Sequence, residues 1–81
     1  MPRDVSHKDL HILLKKYGYA ITRQVGSHIR LDSHFMGHEH SITIPAHKPI
    51  KVGTLNNILK DIATYLKMTK PELIESLFES E

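Results

Sequence analysis

Gly26-Ser27-His28 is the stretch of this chain best placed to do chemistry. A Gly-Ser turn that hands a histidine to the start of a strand exposes an imidazole able to accept a proton near neutral pH. A ribose hydroxyl is the kind of group such a base would deprotonate. An ordinary surface histidine fits the same spacing, so the motif needs support from elsewhere. A second candidate is the run holding His47, Lys48 and Lys51, which leads into a long amphipathic stretch. A helix N-terminus presents free N–H groups and partial positive charge, so a phosphate is favoured there, and the two lysines add to the field. A solvated basic loop is the plain alternative. The third is His34, His38 and His40, a His-x3-His-x-His cluster. Three imidazoles with an open position can hold zinc. However, His38 falls in a turn and no orienting partner is visible in the sequence, so a histidine-rich turn without metal stays open beside it.

Elements must position these groups. Ser6 and Asp9 have capping-box spacing, Leu10, Leu13, Leu14 and Tyr17 follow the helical period, and Gly18 suits a helix stop. The expectation is a helix over 7–17. Residues 19–25 are rich in strand formers, and Gly26-Ser27 breaks the run. In 28–34, Ile29 and Leu31 point one way, while His28, Arg30, Asp32 and His34 point the other. Residues 35–38 read as a hairpin turn, and 40–44 as a third strand ended by Pro45. Leu55, Ile58, Leu59, Ile62 and Leu66 predict a helix over 52–67. Thr69 and Glu72 form a second capping box around Pro71, opening a short helix over about 70–79 with Leu73, Ile74, Leu77 and Phe78 as its apolar stripe. The order is α-β-β-β-α-α, an α+β domain spanning 1–81. Its three strands should form an antiparallel meander, helices covering one face and leaving the other, with His28, open.

Composition narrows the class. Eighty-one residues suffice for one small domain, and without cysteine neither disulfides nor thiolate metal sites can form. No apolar run approaches the ~20 residues needed to span a bilayer. The opening Met-Pro-Arg-Asp lacks the apolar stretch of a secretory signal, so the expected location is cytoplasmic. Residues 1–70 carry all 11 Lys and Arg against five acids, a net of +6, whereas 71–81 carry four Glu and no base. A basic body suits a polyanionic partner, because cations that neutralise phosphates release condensed counterions. A solvated surface of mixed charge is the bland reading of the same numbers. Five of the seven histidines lie between His28 and His47.

Three segments together resemble the HicA family, the toxin halves of HicA–HicB toxin–antitoxin pairs. They are the early helix running into Lys16-Tyr17-Gly18-Tyr19, then Arg23-Gln24-Val25-Gly26-Ser27-His28, and then Ile44-Pro45-Ala46-His47 continuing through Lys51-Val52-Gly53-Thr54-Leu55 to Ile58-Leu59-Lys60. The resemblance covers about residues 7–62. It implies a fold like a double-stranded-RNA-binding domain and a metal-independent ribonuclease, an mRNA interferase, that needs no cofactor. The family's catalytic histidine falls on His28 and that of its Pro-x-His segment on His47. Gly26, Ser27, Arg30, His47, Lys48 and Lys51 are the expected RNA-binding residues. The implied partners are messenger RNA and a HicB-like antitoxin, the toxin being a monomer when free and part of a hetero-oligomer when neutralised. Val52 departs from the proline that many relatives carry there, and the helix after Thr69 runs past where many relatives end. Three other readings remain: a non-catalytic RNA-binding module of the same fold, a zinc protein using His34, His38 and His40, and a purely structural partner of another protein.

Overall fold

Alternation in β2 (His28–Ser33) organises the molecule. In the computed structural model, which describes residues 5–47 and 49–79, Ile29, Leu31 and Ser33 are buried and His28 and Arg30 are exposed. β1 (Ala20–Val25) and β3 (His40–Pro45) flank β2, both antiparallel to it, in the order β1-β2-β3. Ile42 and Ile44 of β3 pair with Leu31 and Ile29 and complete the apolar side of the sheet. The helices cover that side. The chain is therefore α+β, with a three-stranded antiparallel sheet flanked by helices.

α1 (His7–Leu14) starts as its capping box requires: Asp9 N–H donates to Ser6 Oγ at 3.1 Å, and Ser6 N–H donates to the Asp9 carboxylate at 3.4 Å. Leu10 and Leu14 are fully buried. The expected helix over 7–17 tightens into a 3₁₀ turn at Lys15–Tyr17 and stops at Gly18, whose φ of 76° is a left-handed value glycine adopts without strain. Tyr19 then enters the core at 1 % exposure instead of opening the first strand, so β1 begins one residue later than its composition suggests.

β2 ends at Ser33, one residue early, and among the described residues Ser33 is the one buried polar side chain of the core. Its hydroxyl donates to the Tyr17 carbonyl at 2.7 Å and accepts from Phe35 N–H at 3.1 Å, which offsets the cost of burying it. The link between β2 and β3 is not a tight turn but the six residues 34–39. Tyr65 of α2 (Val52–Leu66) holds this loop, its hydroxyl donating to the His38 carbonyl at 2.6 Å and accepting from Met36 N–H at 2.9 Å. Pro45 is tolerated as the last residue of β3 because the strand lies at a sheet edge, where its missing N–H leaves no ladder bond unmade.

α2 buries Leu55, Ile58, Leu59, Ile62 and Leu66 and ends at Lys67, which takes a left-handed φ of 59°. α3 (Lys70–Ile74) begins with the expected Thr69–Glu72 capping box and widens into a π-helical turn at Glu75–Glu79. Leu73 and Leu77 belong to the core, and Lys16 and Tyr17 reach Ser76 with hydrogen bonds. The terminal helix thus completes the core. Among the described residues no helix is long and apolar enough to cross a membrane.

Leu73 is fully buried. Leu73→Ala should therefore cost about 2–5 kcal/mol, the range for buried leucines, read from the urea midpoint. An unchanged midpoint would show that α3 is not part of the cooperative unit.

Candidate functional site

Gly26 and Ser27 form the two-residue turn between β1 and β2, with Gly26 at a φ of 57°. An L side chain is strained at that angle, so glycine is what lets the turn deliver His28 to the first position of β2. His28 is paired with Val25 on one side and Pro45 on the other. Its imidazole is exposed on the uncovered face and has no hydrogen-bond partner among the described residues.

The Pro-Ala-His segment comes to the same end of the sheet. Ala46 N–H donates to the Ser27 carbonyl at 2.7 Å, fastening the exit of β3 to the Gly-Ser turn. His47 follows, exposed, its N–H donating to the Pro45 carbonyl at 2.9 Å. The backbone therefore gathers Gly26, Ser27, His28 and His47 from two separate motifs into one corner. No hydrogen bond joins the two imidazoles.

Arg30 lies two residues along the same face. Its Nε donates to Asp32 at 3.0 Å and a terminal nitrogen donates to Ser41 Oγ at 3.1 Å. Thr22 Oγ1 donates to the other Asp32 oxygen at 3.0 Å. The neighbouring Ser41 hydroxyl and the Arg30 guanidinium, with Thr22, hold the Asp32 carboxyl below the ordinary carboxylate range. The hydrogen bond to Asp32 correspondingly raises Arg30. Arg30 is thus a fixed cation with a set orientation, not a free one.

Lys51 is exposed at the N-cap of α2, where its backbone carbonyl accepts from Leu55 N–H at 2.8 Å. No side chain caps this helix start, and its first turn holds no acid, so its N–H groups are open to an anion. Lys51 makes no hydrogen bond or ion pair with the His28 corner. Lys48 lies outside the described residues.

The hairpin histidines do not converge. His40 turns toward the helices, where its Nδ1 lies 2.7 Å from the Tyr19 hydroxyl and its Nε2 lies 3.2 Å from Asp61. Its ring stacks on Tyr65 at 4.6 Å. Burial, with Tyr65 and Asp61 nearby, pushes the Tyr19 phenol well above its usual range, so it stays protonated. His38 sets its ring edge against Tyr65, and His34 faces Glu39 at 3.7 Å. Among the described residues no group of three or more His, Asp or Glu is arranged to hold a metal. The structure does not bring His34, His38 and His40 together as the zinc reading requires: the His38 and His40 rings both pack on Tyr65, and His34 faces Glu39. A cavity of about 180 Å³ between α1 and the sheet, lined by His7, His11, Gln24 and Ile29 among others, opens on the helix-covered face and contains none of the expected site residues.

The corner built from Gly26-Ser27-His28 and Pro45-Ala46-His47 combines the two most specific segments of the sequence. The family model described as HicA toxin of bacterial toxin–antitoxin matches residues 7–63, which include both. The chain belongs to the HicA toxin family. Membership implies the toxin role in a toxin–antitoxin system and a partner antitoxin. No curated protein and no solved structure matches this HicA chain. The family match ends before α3, although Leu73 and Leu77 are as much core as the residues within it.

The Asp32 network has a pH signature. A carboxyl whose folded value is lowered adds stability that is present in full above its unfolded value of about 3.9 and lost as pH falls through the folded value. Asp32→Asn should remove this contribution, giving a shallower loss of melting temperature than wild type as pH is lowered from about 5 toward 2. Equal acid limbs would show that the network carries no linkage.

Proposed function

We propose that this HicA-family toxin is a metal-independent endoribonuclease acting on messenger RNA, with His28 as the general base. The observation that carries the reading is the exposed His28 imidazole at the corner where Gly26-Ser27 and Ala46-His47 are tied together. In this scheme the neutral imidazole takes the proton of a 2′-hydroxyl. The freed oxygen attacks the adjacent phosphorus and closes a 2′,3′-cyclic phosphate. The 5′-oxygen leaves and takes a proton from water. A positioned base contributes on the order of 10²–10⁴-fold, and cations near the developing charge add to it.

Each of the other residues has a part. The Gly26-Ser27 turn offers backbone close to the attacked phosphate, and His47 lies exposed at the same corner. Arg30 supplies an oriented guanidinium and Lys51 brings charge to the start of α2, where open N–H groups favour phosphate, with Lys48 a further RNA-binding cation in this reading. A HicB-like antitoxin that covers the open face would bury His28 and exclude RNA, and messenger RNA as substrate places the action in the cytoplasm. A second reading, an RNA-binding module without cleavage, draws support from the lack of any orienting carboxylate on His28 among the described residues.

His28→Ala should abolish RNA cleavage in the presence of chelator, a loss of at least ~10²-fold, while stability changes by within about 0.5 kcal/mol. Comparable cleavage by the variant would remove His28 from the mechanism. Binding without cleavage by the wild type would favour the second reading. For the basic loop, Lys51→Gln should weaken binding to all RNA sequences alike and reduce the slope of log affinity against log salt by about one unit. An unaltered slope would return Lys51 to an ordinary solvated position.

A further inference from the structure

The pairing of β1 with β2 contains an irregularity whose consequence is a matter of charge. Ile21 pairs with Leu31 and Arg23 pairs with Arg30, so Thr22 is an extra residue without a partner in β2. Directly paired residues of an antiparallel ladder share a face. Leu31 is fully buried and Arg30 is exposed, which puts Ile21 on the helix side and Arg23 on the open side. Thr22 also turns to the open side, since its hydroxyl bonds to Asp32. In a regular strand, residues 21 and 23 would lie on one face. The bulge is what carries Arg23 across.

Two guanidinium groups consequently occupy directly opposed positions, where Cβ atoms are about 5 Å apart. Like charges placed this way destabilise a sheet. Asp32 answers one of them, because it is hydrogen-bonded to Arg30. Glu39, in the hairpin, attracts Arg30 from farther away and itself faces His34. Arg23 is exposed and has no hydrogen bond or ion pair among the described residues. The pair is therefore short of one negative charge. On the open face the Arg23–Arg30–Thr43 row is the next one after Val25–His28–Pro45, a step of two residues or roughly 7 Å along β2.

We infer that Arg23, carried to the open face by the bulge at Thr22, forms with Arg30 an oxyanion site for a phosphate or phosphodiester one row from His28. The planar fork of arginine matches phosphate oxygens in pairs, and a single anion between the two groups relieves their repulsion. With RNA bound, this site holds a backbone phosphate and so fixes which nucleotide meets His28. The substrate rests on the RNA reading above, but the anion chemistry does not. Arg23 is a binding and positioning residue, and its loss should raise KM more than it lowers kcat.

The test follows the Nε–Hε resonances of Arg23 and Arg30 by NMR in the His28→Ala protein, titrated first with inorganic phosphate and then with a short RNA. Arg23→Gln, Arg23→Lys and, as a remote control on the exposed side of α2, Lys60→Gln are compared for RNA affinity against salt. The expected result is that both guanidinium resonances shift together. Arg23→Gln should reduce the salt slope by about one unit. Arg23→Lys should keep the slope but not the full affinity, and Lys60→Gln should match wild type. The site is overturned if neither phosphate nor RNA moves the Arg23 resonance, or if Arg23→Gln binds RNA as wild type does. Should phosphate move both resonances while RNA binds nowhere, the RNA reading fails and the anion site stands. RNA that binds through Arg23 but is not cut by the wild type removes only the nuclease step.

Discussion

Ile29, Leu31, Ile42 and Ile44 form one apolar surface on β2 and β3, and covering it on one side determines almost everything else. Burying such side chains is worth roughly 1.5–3 kcal/mol each, the main favourable term available to a domain this small. α1 brings Leu10 and Leu14, α2 brings Leu55, Leu59 and Ile62, and α3 closes the remaining gap with Leu73 and Leu77. With every helix engaged on that side, the opposite face stays in water. Strand alternation then leaves only polar and charged residues of β2 to occupy it, and His28 is the first of these. The His28 corner is the reverse side of the core.

Much of this is legible in the residues. The Ser6–Asp9 and Thr69–Glu72 boxes mark helix starts to the residue, because a cap is a local hydrogen-bonding pattern set by two side chains three apart. The alternation of 28–33 is legible because one face is apolar. What escapes a linear reading depends on the partner strand. Ile21, Arg23 and Val25 look like one face, yet Ile21 lies inward and Arg23 outward, and no glycine marks the bulge between them. Ser33 looks like a polar end to a strand, but parity carries it into the core, where Tyr17 and Phe35 satisfy it. Those partners lie in other elements, so no local pattern announces them.

The histidine-rich hairpin illustrates how composition misleads. His34, His38 and His40 suggest metal by count and spacing, whereas their surroundings give His40 a structural task. Between the Tyr19 phenol and Asp61, and flat against Tyr65, it joins the residue that precedes β1, the start of β3 and the second half of α2. Together with the Tyr65 hydroxyl on the loop backbone, this fixes the far end of the β2–β3 hairpin to α2. The opposite end of the same hairpin carries the His28 corner. One end is thus held by aromatic packing while the other leaves His28 and His47 exposed to solvent.

The bulge at Thr22 also bears on solubility. β1 is an edge strand whose residues are all exposed, including Ile21 and Val25, and such an edge invites pairing with the same strand of another molecule. An extra residue breaks the even spacing of ladder hydrogen bonds, increases local twist, and turns an arginine outward at the point of contact. Two copies meeting edge to edge would have to align irregular ladders and bring their arginines together. The same irregularity that carries Arg23 to the open face makes this uncovered edge a poorer template for pairing with a second copy.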